Sequence, residues 1–156
     1  MIATASLILL CLACVWLAWI DLRDGIISDR LNLLVATTGF VRTAALAGWA
    51  PALALLGQGV LIGAIVWLLR WLYFRYRKFQ GLGLGDVKLL AASTVWIGVA
   101  GVPMQLLVAS VTALAAAGVM QLSKRTVTRQ TALPFGPFLA LGLLAVIVLQ
   151  QRGLIE

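Results

Sequence analysis

Five stretches of nearly unbroken apolar residues run along the chain, at 2–20, 31–49, 52–73, 87–122 and 133–150, separated by short polar connections. Four have about the length that one helix needs to cross a bilayer. The fourth stretch, 87–122, would be about 54 Å long as a single helix, far beyond a hydrocarbon core of roughly 30 Å. The segment "VAGVP" at 99–103 supplies a break, because Gly101 and Pro103 punctuate a helix. The pattern therefore predicts an all-α polytopic membrane protein with six transmembrane helices, the fourth rather short, and one domain over residues 1–156. Residues 1–20 carry no Lys or Arg ahead of the apolar run, so they read as a retained first helix rather than a cleaved signal.

The polar connections give the orientation. Of the 12 Lys and Arg residues, all but Arg42 and Arg152 lie at or between spans one and two, three and four, or five and six. The alternate connections, "GWAP" and "VAGVP", carry none. The positive-inside rule makes the basic side cytoplasmic and puts both termini outside. Trp19, Trp71, Tyr73 and Tyr76 fall at the inner boundary and Trp49 and Trp96 near the outer one, as aromatic belts. Arg42 lies inside the second span, where snorkelling to the outer surface is the expected arrangement.

Composition fits this class and narrows the chemistry. The chain has 156 residues, 63% hydrophobic and 11% charged, with mean hydropathy +1.07, more apolar surface than a soluble domain of that length can bury. The net charge of +7 is explained by loop placement and gives no sign of a nucleic-acid partner. The two cysteines, Cys11 and Cys14, sit mid-way along the first span with no His in the chain to complete a metal set, so they read as packing residues. The missing histidine also excludes Ser-His and Cys-His pairs and the H-E-x-x-H zinc site. No metal and no cofactor is expected.

Five acidic residues remain, Asp21, Asp24, Asp29, Asp86 and Glu156, and the four aspartates all stand at cytoplasmic span ends. Asp21 closes the first helix and Asp86 opens the fourth, so the two share a membrane face and can meet. A pair of carboxylates sharing a proton is the machinery of aspartic proteolysis, one activating water and the other polarising the carbonyl. Asp86 ends the glycine-rich run "GLGLGD", whose Gly83 and Gly85 would let a substrate strand approach the backbone. Against this stands a plain capping role for Asp86 and Asp29, since aspartate is a favoured N-cap. Asp21 has no such role, because an anion at a helix C-terminus opposes the macrodipole. The same dipole argument makes Asp86 the base and leaves the shared proton on Asp21.

"DLRDGIISDRLN" from residue 21, "GLGLGDVKLLAA" from residue 81 and "LPFGPFLALG" from residue 133 together resemble the type IV prepilin peptidases, membrane aspartic peptidases with a G-x-G-D motif, here Gly83-Leu84-Gly85-Asp86. The resemblance implies Asp21 and Asp86 as the catalytic pair, with Gly83, Gly85 and Lys88 as substrate-binding neighbours. Ser28 stands where the family usually has proline, and the N-terminal region with two C-x-x-C pairs of bifunctional members is absent, which implies a peptidase without methyltransferase activity. The implied reaction removes the basic leader of prepilins or pseudopilins at the cytoplasmic face of the bacterial inner membrane, for pili or secretion. Prepilins and the lipid bilayer are then the partners, with oligomeric state left open. The competing reading is a non-catalytic assembly or transport subunit whose aspartates cap helices or bind a cation.

Overall fold

The fold comes from a computed structural model, which describes residues 2–77, 83–122 and 134–154. Every element among them is an α-helix: α1 (Ile2–Asp24), α2 (Asp29–Ala47), α3 (Trp49–Arg77), α4 (Leu84–Leu122) and α5 (Gly136–Gln151). Of the expected basic loops 74–86 and 123–132, residues 78–82 and all of the second, with Lys78, Lys124, Arg125 and Arg129, lie outside the described residues. Helices α1, α3 and α4 are long and apolar enough to cross a membrane, and α5 is a shorter apolar helix. Large apolar side chains such as Trp16, Leu53, Leu61 and Leu114 face outward, as they must where lipid replaces water. The protein is a multi-pass membrane protein.

The break in the long fourth stretch falls at Gly98, earlier than "VAGVP". Gly98 has φ 68 and ψ 173 inside α4, a left-handed conformation that glycine adopts at little cost. The two halves of α4 fold back on each other. Ser93 Oγ lies 2.8 Å from Gln105 Oε1, whereas a straight helix would separate residues 93 and 105 by about 18 Å. A helix break frees backbone groups that need new partners. Here two glutamines take them: Gln58 Oε1 accepts the Val99 N–H at 3.0 Å, and Gln150 Nε2 donates to Ile97 O at 3.1 Å.

Helix α4 is the hub, packing on α5, α3 and α2, while α1 packs on α5 and α2. Leu10, Ala13 and Cys14 of α1 meet Trp96 and Ile97 of α4 and Leu143 of α5 in one core cluster. Leu17, Ile27, Leu89 and Leu139 form a second, toward the aspartates. Cys14 is therefore a core residue, while Cys11 faces outward.

Two outer-end expectations change. Trp96 is not part of an aromatic belt: it is 8% exposed and donates its ring N–H to Val35 O at 2.8 Å. Arg42 does not simply reach outward, since its guanidinium stands 5.6 Å over the Trp96 ring, a cation–π contact that shields the charge within the bundle. Trp19, Trp49, Trp71, Tyr73 and Tyr76 do face outward.

Candidate active site

Asp21 lies one turn before the end of α1. The turn is closed by Gly25, whose N–H donates to Asp21 O at 2.9 Å. The side chain is 5% exposed, and its Oδ2 accepts the N–H of Gly136 at 2.9 Å. Gly136 is the first residue of α5, with Pro137 behind it in the first turn, where a missing N–H costs nothing. "LPFGPF" is thus both a helix entry and a neighbour of Asp21. A methyl group at Gly136 would lie 2.6 Å from Asp21 Oδ2, so this approach requires glycine. The N-terminus of α5 also offsets the unfavourable end of α1's dipole. Asp21 does have a structural role: it caps a helix 115 residues further along the chain.

Asp86 is the third residue of α4, not its N-cap. Its carboxylate accepts the backbone N–H of Gly83, the residue just before the helix, which is the carboxylate half of a capping box. Asp86 is 8% exposed. Each aspartate therefore accepts one amide at a helix N-terminus, and the asymmetry expected from the dipoles of α1 and α4 alone is largely removed.

The two aspartates lie near enough to feel each other's charge. Asp21 acts on Asp86 as a like charge, and Ile27, from the connection between α1 and α2, wedges between their supports. A methyl at Gly85 would meet Ile27 Cβ at 2.6 Å, and one at Gly136 would meet Ile27 Cδ1 at 3.0 Å. Gly85 is small here because Ile27 fills the place of its side chain, which seats the connection on α4. Two carboxyl groups so buried cannot both carry charge cheaply, so a proton bound at this site belongs to the pair rather than to either member.

Asp24 and Asp29 stay outside. Arg23 and Asp24 form a loose exposed contact at 3.9 Å. Asp29 is the first residue of α2, with Ser28 before it as N-cap, so Asp29 is not the cap. It instead takes Lys88 Nζ on both carboxylate oxygens at 2.7 Å. The pair ties the start of α2 to α4 and commits Lys88, on the face away from Asp86, to a structural partner. Sequence reasoning marked Gly136 only as part of the motif "LPFGPFLALG", with no role of its own, and missed Ile27. Ile27 carried no signal beyond its apolarity. Among the described residues no group of three or more potential ligands could hold a metal.

A sequence profile of the type IV leader peptidase family matches residues 8–119, a span that includes both Asp21 and Asp86. The chain is 35% identical over 138 residues to a prepilin leader peptidase/N-methyltransferase of Burkholderia pseudomallei, an alignment covering 85% of this chain and 42% of that protein. A prepilin leader peptidase/N-methyltransferase of Escherichia coli K12 is 38% identical over 146 residues, 90% of this chain and 61% of that one. A type 4 prepilin-like proteins leader peptide-processing enzyme of Escherichia coli O78:H11 is 39% identical over 121 residues, 74% and 43% of the two chains. The chain thus spans 42% to 61% of the length of these relatives. No solved structure matches.

Proposed function

The chain belongs to the type IV leader peptidase family, and from that premise we propose that it is a membrane aspartic endopeptidase removing leader peptides from prepilins or pseudopilins. One observation carries the reading. Asp21 and Asp86, on separate helices, are both buried, each accepts a helix N-terminal amide, and Asp21 acts on Asp86 as a like charge, which supports their working as a pair. In the reaction one carboxylate takes a proton from water as the water oxygen attacks the scissile carbonyl carbon. The protonated partner donates to the carbonyl oxygen, giving a gem-diol. Collapse breaks the C–N bond, and the amine leaves with a proton returned through the pair. Gly83 holds Asp86 through its amide, Gly85 makes room for Ile27, and the Lys88–Asp29 pair holds α4 against α2 beside them.

The topology belongs to the same proposal. Residues 1–156 form one unit of six spans, the two halves of α4 counting separately, with both termini outside and the aspartates at the cytoplasmic face of the bacterial inner membrane. There the pair meets a leader just before it gives way to the substrate's own apolar segment.

The capping contacts favour a second reading, a scaffold in which both aspartates merely anchor helices. Asparagine separates the two, because its carbonyl also accepts an amide N–H but cannot share an acidic proton. Co-expression of Asp21→Asn or Asp86→Asn with a tagged prepilin, scored by size, should show uncut substrate beside normal enzyme levels. Cleavage at the wild-type rate in either variant would leave the scaffold reading.

A further inference from the structure

Two cavities meet at Arg42, far from the aspartates. One, of about 190 Å³, is lined by Arg42, Trp96, Ile147, Gln150 and Gln151. The other, of about 320 Å³, runs between α1 and α2 past Ile2, Ala5, Leu9 and Val41, and also reaches Arg42. Arg42 stands 13 residues beyond Asp29 on α2, about 20 Å along the helix.

The charge of Arg42 is only partly matched. Trp96 covers one face of the guanidinium, but Arg42 Nε is buried with no hydrogen-bond partner. The ion pairs Arg23–Asp24 and Lys88–Asp29 leave Arg42 out. Asp21, Asp24, Asp29 and Asp86 are all at the opposite helix ends, and Glu156 lies outside the described residues. A buried N–H on a cation is costly to leave unpaired and calls for an acceptor. The guanidinium fork selects an acceptor with two oxygens and a negative charge. The first cavity is several times the roughly 30 Å³ share of one water, enough for a phosphate group. Beyond Arg42 the second is bounded by Ile2, Leu9 and Val41 and by Ser6, Thr37 and Thr38, whose hydroxyls are turned onto helix carbonyls, a lining that suits a hydrocarbon chain.

We propose that Arg42 marks a phospholipid site, with the lipid phosphodiester on the guanidinium and one acyl chain in the groove between α1 and α2. A free phosphate would fill the first cavity and leave the second without a role. The site is independent of the peptidase reading and stands or falls without it.

Native mass spectrometry of the purified whole chain tests this with three probes: dioleoylphosphatidylglycerol, dioleoylglycerol and inorganic phosphate. The wild type should bind one phosphatidylglycerol about tenfold more tightly than Arg42→Gln does. Both proteins should bind dioleoylglycerol alike, and inorganic phosphate should not compete with the phospholipid. Arg42→Lys keeps the charge but loses the fork, and should bind phosphatidylglycerol about threefold more weakly than wild type. This milder variant carries the test if Arg42→Gln does not fold. Wild-type affinity in the folded variants, or inorganic phosphate binding as tightly as the lipid, overturns the site.

Discussion

At Gly136 the missing side chain matters because a methyl group there would sit 2.6 Å from Asp21 Oδ2 and 3.0 Å from Ile27 Cδ1. Gly136→Ala should therefore push Asp21 off its amide, cost about 1–3 kcal/mol as overpacking, and reduce cleavage far more than its loss in thermal stability accounts for. Gly57 and Gly118 have open space around the same position, so alanine there should be neutral or stabilise by about 0.5–1 kcal/mol, as read by thermal unfolding in detergent. A Gly136→Ala protein as active as wild type would mean that Asp21 needs no support from α5. Lys88 and Asp29 make a second test at this scale. Their side chains are 50% and 71% exposed, so the pair is worth no more than about 1 kcal/mol. Lys88→Met, Asp29→Asn and the double variant should lose the same small amount of stability and keep most activity. A raised KM in Lys88→Met alone would instead give Lys88 a substrate contact. Asp21 and Asp86 were legible in the sequence, because carboxylates at apolar boundaries are conspicuous. What holds them was less so: Gly136 meets Asp21 across 115 residues, a contact no local pattern encodes.

Among the elements, α4 departs most from what its sequence suggests. Length alone showed that 87–122 had to break, since the bilayer cannot hold a helix that long. The place was misread because Gly101 and Pro103 are strong local punctuation, whereas Gly98 is chosen by its partners. Gln58 and Gln150, on α3 and α5, satisfy the freed N–H and carbonyl, and both looked like ordinary polar residues within apolar runs. Gly98→Ala should cost about 1–3 kcal/mol through a positive-φ backbone open essentially only to glycine. Gln58→Leu should cost about 0.5–1.5 kcal/mol by removing the bond to the Val99 N–H. Together they should cost less than the sum, since both act on one turn. Full additivity in thermal unfolding would separate the glutamine from the break.

At the scale of the whole molecule, the reading depends on which side of the membrane the aspartates face. Helicity and membrane embedding followed from composition and block lengths, because a bilayer leaves few options for so apolar a chain. Orientation rests on the loop cations, several of which lie outside the described residues. A reporter active only in the periplasm should be silent when fused after Arg129 and active after Glu156, and the reverse pattern would remove the aspartates from the cytoplasmic leader. The most direct measurement is leader removal from a tagged prepilin co-expressed with each single Asp→Asn variant at matched membrane levels. Asp21→Asn and Asp86→Asn should each lower the rate by about 10³-fold or more, with the double variant no worse than either single, as for residues acting as one unit. Asp24→Asn and Asp29→Asn should retain most of it. Wild-type cleavage by Asp21→Asn or Asp86→Asn, or equal loss in all four, would contradict a catalytic pair.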